Sequence, residues 1–228
     1  MKRQAKSRTD YEASAPIKPR PQVELRKRGE ERVERILAAA TEVFLEKGYR
    51  NARLSDIVAK AGGSLATLYR VFGDKEGLAH AIMARSIRAF GEDLDELLQS
   101  PLPPEQALVT AAEHMLDEFL TPERIVTHRI VLAEGLQFPE LRDWFFAYGV
   151  ETAEHSLTEY FTREMDAGRL RPFPPELAAS QFFPMVFGTV IIHSASGRMD
   201  RMSQEQLREG ARKALSIFLH GMLPISAA

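Results

Sequence analysis

Side chains that can donate hydrogen bonds to phosphate oxygens or to base edges are concentrated between residues 53 and 75 of this 228-residue chain. Hydroxyl, guanidinium and ammonium groups of this kind serve in contacts with nucleic acid, and small apolar side chains contact the thymine methyl group. The candidate residues are Arg53, Ser55, Ser64, Leu65, Ala66, Thr67, Tyr69, Arg70 and Lys75. Side chains of these types can contact double-stranded DNA if the surrounding elements present them on one surface.

Two short helical patterns around a glycine break would position these side chains. Apolar residues recur at helical spacing over 54–61, and a second set follows over 65–72. Gly62 and Gly63 can supply the positive φ of a tight turn, and Ser64 can cap the second helix. The pattern predicts a helix-turn-helix whose second helix enters the major groove by its N-terminal end.

This stretch resembles the TetR family of bacterial transcription regulators. The resemblance rests on residues in the family's order and spacing, namely Ile57, Ala61, Gly62, Ser64, Thr67, Leu68, Tyr69, Phe72, Asp74, Lys75, Glu76 and Leu78. It implies that Thr67, Tyr69 and Lys75 grip phosphate oxygens, which fixes the register of the protein on DNA. Base edges would be read by Ser55, Ser64, Leu65, Ala66 and Arg70.

Two of these assignments have a structural alternative. Tyr69 could pack into the core beside Phe72 instead of facing a phosphate. Arg70 could point to solvent or to a carboxylate instead of reading guanine.

Three positions depart from the family's pattern, and two polar phosphate contacts are missing as a result. Arg53 or Leu54 stands where a Ser or Thr usually caps the first helix of the motif, Gly63 replaces a Val, and Val71 replaces a His. We expect Arg50, Arg53 and basic residues further upstream to compensate.

Charge is distributed unevenly along the chain. Residues 1–28 hold nine Lys or Arg and three acidic residues, a net charge of +6, whereas the whole chain carries −2. Because this stretch contains prolines and lacks apolar periodicity, we expect a disordered basic arm ahead of an acidic body. Such an arm would either keep the protein soluble or add phosphate and minor-groove contacts.

Composition limits the other possible functions. The chain has no cysteine, which rules out disulfides and thiolate metal sites. Its longest apolar run, near residues 185–192, is too short to span a bilayer, and no signal-peptide pattern is present. The sequence therefore predicts a cytoplasmic protein with no membrane partner and no cofactor.

The apolar pattern of the remaining chain predicts helices. Their predicted N-termini are marked by features such as Pro-Glu pairs and a Ser-x-x-Gln capping box. The patterns predict helices over 30–47, 74–99, 104–120, 122–136, 139–167, 175–196 and 203–222. The expected fold class is all-α, with a three-helix DNA-binding domain linked by a long helix to a helical bundle. The expected domains are a basic arm (1–28), a helix-turn-helix domain (29–78) and a domain for effector binding and dimerisation (79–228).

The segment 129–190 resembles the C-terminal domain of the AefR-like branch of the TetR family. The quoted matches are Leu132-Ala133-Glu134, Phe138-Pro139-Glu140-Leu141, Gly168-Arg169-Leu170 and Ala178-Ala179. The resemblance implies an apolar ligand cavity among the central helices, with candidates Met115, Phe119, His128, Trp144, Phe145, Tyr148, His155, Phe183 and Phe187. It also implies a dimer interface on the last two helices, with candidates Ile191, Ile192, Leu215, Phe218 and Leu219.

Simpler interpretations exist for the bundle residues. A helical stripe of aromatic side chains is usually core packing, and a single histidine in a bundle is usually a satisfied core or surface residue. No two histidines have the i, i+3 or i, i+4 spacing of a metal site on one helix face, and no nucleophile, base and acid form a recognisable motif.

Together, the two resemblances imply a homodimeric repressor that a small, partly hydrophobic effector releases from a pseudo-palindromic operator. The alternatives are a DNA-binding regulator or architectural protein without an effector and, more remotely, an all-α enzyme.

Overall fold

The computed structural model describes residues 27–222, and this range contains helices and no strand. The first three helices form an N-terminal domain, called the head below. The fourth is a long helix that connects the head to the rest of the chain. The four helices are α1 (Lys27–Asn51), α2 (Leu54–Ala61), α3 (Leu65–Phe72) and α4 (Lys75–Leu98). The predicted arm over residues 1–28 lies almost wholly outside the described range.

Six further helices build the C-terminal bundle. They are α5 (Pro104–Phe119), α6 (Pro122–His128), α7 (Pro139–Phe145), α8 (Glu151–Asp166), α9 (Pro175–Ala195) and α10 (Gln204–Met222). Helix α6 continues into a π-helical turn, Arg129–Ala133, and a second π-helical turn, Phe146–Val150, joins α7 to α8. A short 3₁₀ turn, Met199–Arg201, precedes α10.

The prediction of an all-α fold is confirmed, and most predicted helix ends agree with the structure to within one or two residues. In α1, Gly48 was expected to end the helix. Gly48 has a left-handed φ of 75°, yet helical turns resume after it and continue to Asn51. The regular helix is thus interrupted at Gly48, as predicted, and a short further turn follows it.

Two hydrophobic clusters stabilise the chain. The head cluster joins α1, α2, α3 and the first half of α4 to the end of α6 and to α7, through residues such as Phe44, Leu68, Ile82 and Trp144. The bundle cluster joins the second half of α4 to α5, α8, α9 and α10. The head cluster therefore extends into the C-terminal half of the chain. The domain boundary between residues 78 and 79 stays a prediction.

Helix α9 is apolar on almost every side. Within the described residues, it is the one helix long and apolar enough to cross a membrane, but a core helix of a soluble protein passes the same test. One side packs against α8 and α10 through buried residues such as Phe182 and Phe187. A second stripe exposes Leu177, Met185 and Ile192, so the helix has two apolar faces of which the bundle covers one.

Candidate nucleic-acid interface and ligand cavity

The turn between α2 and α3 has the geometry of a helix-turn-helix. Gly62 has a left-handed φ of 68° and donates its backbone N–H to the carbonyl of Val58 at 3.1 Å, which ends α2. Ser64 caps α3, because its Oγ accepts the backbone N–H of Thr67 at 3.3 Å. The cap predicted for Ser64 is therefore confirmed.

Helix α3 is anchored on one side and open on the other. Leu68 and Phe72 are buried in the head cluster. The exposed members of the predicted DNA-binding set are Arg53, Ser55, Ser64, Leu65, Ala66, Tyr69 and Arg70. Tyr69 keeps 52% of its surface exposed, so the alternative that it packs into the core is wrong. Thr67 is half-buried, and its Oγ1 lies 3.1 Å from the Ser64 hydroxyl.

Lys75 bonds the main chain at the end of α1 and in the loop after it. Its Nζ donates to the main-chain carbonyls of Tyr49 at 2.8 Å, Arg50 at 3.0 Å and Ala52 at 3.2 Å. An ammonium group has three donors, so these bonds use all of them, and burial lowers the pKa of Lys75. These bonds hold the end of α1 and the loop after it, and the predicted contact of Lys75 with phosphate stays a prediction.

A cavity of about 340 Å³ lies among α4, α6, the π-helical turn after α7, α8 and α9. Five of the predicted ligand-binding residues line it, namely Phe119, His128, Phe145, Tyr148 and Phe183. The walls come from both hydrophobic clusters, since Phe119 belongs to the bundle cluster and Phe145 to the head cluster. The cavity therefore opens along the seam between the two clusters.

The other four predicted ligand-binding residues do not line this cavity. Phe187 stacks behind Phe119, with ring centroids 4.8 Å apart, and Met115 is buried in the bundle cluster. Trp144 packs inside the head cluster. His155 is exposed and pairs with a glutamate one turn later at 3.3 Å. Contact of these four residues with a ligand stays a prediction, because sequence spacing does not indicate which packed surface a side chain meets.

Sequence analysis missed the charged part of the cavity wall. Arg124 lines the cavity although only 4% of its surface is exposed. Its position in the first turn of α6, directly after Pro122 and Glu123, is typical of a surface residue. The only available signal was its spacing from His128, four residues later, which places both on one face of the helix.

His128 is held as a neutral imidazole. Its Nδ1 lies 2.9 Å from the Oγ of Ser194, and that hydroxyl donates to the carbonyl of Ile191 at 3.0 Å. The single hydroxyl proton of Ser194 is thus used, so Nδ1 must carry the proton and Nε2 is left as an acceptor. Burial, reinforced by the positive charge of Arg124, lowers the pKa of His128 from 6.5 to about 3.

This burial makes the free energy of unfolding depend on pH. The unfolded chain protonates His128 below pH 6.5 whereas the folded chain stays neutral down to about pH 3, so the stabilisation is complete above pH 6.5 and declines as pH falls. Between pH 7.5 and pH 5.5 we expect the wild type to lose about 1.4 kcal/mol through this residue. Urea unfolding of wild type and His128→Gln at both pH values measures the difference. The exposed-residue control His155→Gln should behave like the wild type, and an equal loss in His128→Gln would contradict a neutral buried imidazole.

The predicted dimer residues divide into two groups. Leu215, Phe218 and Leu219 are buried in the bundle cluster of one protomer, and their contribution to a dimer interface stays a prediction. They share one face of α10 through i, i+3 and i+4 spacing. Ile191 is half-buried and lines the cavity. Ile192 is 66% exposed on α9, as an interface residue should be.

The same two helices carry further exposed apolar residues. They are Leu177 and Met185 on α9 and Ile217 on α10. Helices α9 and α10 pack against each other, so these side chains and Ile192 lie on one pair of neighbouring helices.

In the described residues, helices form a helix-turn-helix with an exposed recognition helix and a bundle that lines a cavity, an arrangement typical of helix-turn-helix transcription regulators. Residues 36–82 match the family described as bacterial regulatory proteins, tetR family, and residues 106–221 match the AefR-like transcriptional repressor C-terminal domain. The chain belongs to the TetR family, whose members regulate transcription and are not enzymes.

Similar proteins support this assignment over most of the chain. The uncharacterised regulator YvkB of Bacillus subtilis is 25% identical over 193 residues, which cover 82% of this chain and 95% of YvkB. A TetR-family regulator from Mesorhizobium loti has the same fold, with a TM-score of 0.71 at 24% identity over 87% of this chain and 100% of its own. The flavonoid-responsive regulator FrrA has a TM-score of 0.58 at 26% identity over 86% of this chain and 100% of its own.

Proposed function

We propose that this protein is a dimeric, cytoplasmic repressor that leaves a pseudo-palindromic operator when a small, partly hydrophobic effector occupies the cavity. The observation that carries the proposal is the position of the cavity between the head cluster and the bundle cluster. A ligand in this seam contacts both clusters at once. It therefore favours one arrangement of the head relative to the bundle over another, which is what allosteric control requires.

In this proposal the exposed face of α3 contacts the DNA. Ser64, Leu65 and Ala66 lie at its N-terminal end, where a recognition helix meets base edges, and Tyr69 supplies a hydroxyl for a phosphate. In a two-fold dimer the two recognition helices would stand about 34 to 36 Å apart, in successive major grooves.

Hydrogen bonds connect the cavity wall to the head. Arg129, in the π-helical turn after α6, donates its Nε to the carbonyl of Ser194 at 3.2 Å and its Nη1 to the carbonyl of Leu45 in α1 at 3.0 Å. The hydroxyl of the same Ser194 bonds His128 in the cavity wall. A few residues on, the Glu134 carboxylate accepts the backbone N–H of Arg50 at 3.1 Å. Movement of His128 or α9 on ligand binding would therefore be transmitted to α1, which packs against α2.

The cavity walls indicate the effector class. They are formed largely by aromatic and aliphatic side chains, and such walls suit an apolar or aromatic molecule. The flavonoid response in FrrA's name agrees with this class. An architectural DNA-binding protein without an effector would have no need of an open cavity in its bundle.

Selection of random duplex DNA by the purified protein, followed by a salt titration on the enriched sequence, tests the DNA-binding part. We expect a pseudo-palindrome whose affinity falls steeply with salt. A screen of hydrophobic compounds on that operator should then find an effector that weakens binding by about 5- to 150-fold, a coupling of roughly 1 to 3 kcal/mol. A compound that binds tightly in the cavity and leaves operator affinity unchanged would overturn the sensor part of the proposal.

A further inference from the structure

His128 brings a hydrogen-bond acceptor to the wall of the cavity. The residue lines the cavity although only 3% of its surface is exposed. Its Nδ1 is bonded to the hydroxyl of Ser194, and within the described residues its Nε2 has no hydrogen-bond partner. Both nitrogens of His80 are fully enclosed and unbonded, whereas Nε2 of His128 keeps accessible surface. A molecule in the cavity can therefore reach this atom.

The imidazole ring of His128 is held in a fixed orientation. One edge is fixed by the bond of 2.9 Å between Nδ1 and the Ser194 hydroxyl. One face stacks on Phe119, with ring centroids 5.3 Å apart and an interplanar angle of 29°. The lone pair of an unprotonated Nε2 lies in the plane of the imidazole. A donor must therefore approach the ring edge-on, in a plane inclined only 29° to the Phe119 ring.

The surroundings of His128 keep Nε2 an acceptor. Burial, reinforced by the positive charge of Arg124, lowers the pKa of His128 to about 3, so the imidazole is neutral at pH 7. A neutral imidazole of this tautomer accepts a hydrogen bond at Nε2 and has no donor there for a carboxylate. The charged side chains that line the cavity nearly cancel, since they are Arg88, Arg124, Glu92, Asp95 and Glu154. Their summed charge therefore gives an ionic ligand little advantage over a neutral one.

A donor at Nε2 would extend a chain of hydrogen bonds that already exists. In that chain the ligand donates to Nε2 of His128, Nδ1 donates to Ser194, and the Ser194 hydroxyl donates to the carbonyl of Ile191 at 3.0 Å. Every bond points in the same direction, and bonds in such a chain strengthen one another. The carbonyl of Ser194 also accepts from Arg129, which donates to Leu45 in the head. The ligand would thus be connected to the head through hydrogen bonds.

We propose that the effector is a neutral aromatic molecule with a phenolic hydroxyl, which donates to Nε2 of His128 while its ring packs against the aromatic wall. Phe90, Phe119 and Phe183 supply that wall. The hydroxyl hydrogen of a phenol lies in the plane of the ring, so a flat molecule can meet an in-plane acceptor edge-on. This inference rests on the proposed function because it takes the cavity as the effector site.

The probes are 2-naphthol and 2-fluoronaphthalene, which have nearly the same shape but differ in the hydroxyl donor. Equilibrium dialysis against the full-length protein at pH 7 measures both affinities. We expect the wild type to bind 2-naphthol about fivefold more tightly, as one neutral hydrogen bond provides. His128→Phe keeps a flat ring beside Phe119 but removes the acceptor, and should bind the two probes about equally. The matched control is His155→Phe, because His155 is exposed and outside the cavity lining, and it should keep the wild-type preference.

Nitrogen-15 NMR of the histidine-labelled wild type tests the same bond without a substitution. The unprotonated nitrogen of His128 should be Nε2. Its resonance should move towards that of a protonated nitrogen when 2-naphthol is added, and should not move with 2-fluoronaphthalene. The resonance is assigned by its loss from the spectrum of His128→Phe and, independently, of His128→Gln.

The outcomes separate this inference from the proposed function. Equal affinity of the wild type for the two probes, an unchanged preference in His128→Phe, or a protonated Nε2 would overturn the phenol inference and leave the sensor proposal intact. Failure of both probes to bind would also overturn it, while operator selection still tests the regulator. Binding of 2-naphthol through His128 without any change in operator affinity would support the inference and count against effector release. If His128→Phe does not fold, the wild-type resonance decides, and an Nε2 signal that 2-naphthol does not move would overturn the inference.

Discussion

An Ala66→Glu variant should remain folded and bind its operator about 100-fold more weakly than the wild type. Ala66 is exposed in the first turn of α3, where an added carboxylate is favourable for the helix dipole, so the helix itself should not be weakened. In the complex the same carboxylate would enter a groove lined by phosphates. A loss of about 1.4 kcal/mol at each of two half-sites gives about 100-fold for the dimer.

Fluorescence anisotropy with the selected operator measures this loss, and thermal unfolding checks the fold. Ala38→Glu is the matched control, since Ala38 is also exposed and lies in the head but on α1. It adds the same charge and should change operator affinity by no more than a few-fold. If Ala66→Glu binds the operator as tightly as Ala38→Glu, the open face of α3 does not meet the groove.

The DNA head could be predicted from sequence almost completely because its determinants are local. Glycine at a left-handed turn, a serine cap and the i, i+4 pair Leu68 and Phe72 each act over a few residues. Together they specify which side of α3 is buried and leave the other side open. The main-chain contacts of Lys75 could not be predicted because its three partners, 23 to 26 residues earlier, come into reach only through the packing of α4 against α1.

The cavity could be predicted only in part because it depends on long-range packing. Phe119 and Phe187 have equally apolar neighbours in sequence, yet one faces the cavity and the other stacks behind it. From sequence alone, Arg124 is expected at the surface, because its burial depends on the packing of Phe90 from α4 against its guanidinium. The two π-helical turns also rotate the residues that follow them relative to an ideal helix, so a simple 3.6-residue period assigns faces less reliably beyond residues 129 and 146.

Replacing both Ile192 and Ile217 by Asp should convert the proposed dimer into a monomer. Ile192 on α9 and Ile217 on α10 are 66% and 65% exposed. Burial of these apolar side chains would therefore stabilise an interface that covers them. A two-fold interface buries each of them twice, and burying one isoleucine contributes roughly 1.5 to 3 kcal/mol. Four aspartates in its place would bury unpaired charge and repel one another across the axis. The loss of association free energy should therefore far exceed that from removing any single contact.

Sedimentation equilibrium measures the association, and Leu136→Asp is the control because Leu136 is 91% exposed and lies outside α9 and α10. That variant should stay dimeric. Operator affinity of the double variant should fall at least about 100-fold, because a monomer contacts one half-site and gains nothing from the second. A double variant that is still dimeric would place the interface elsewhere. A monomer with wild-type operator affinity would mean that one head is sufficient for recognition. In that case an effector could not act by changing the spacing of the two recognition helices.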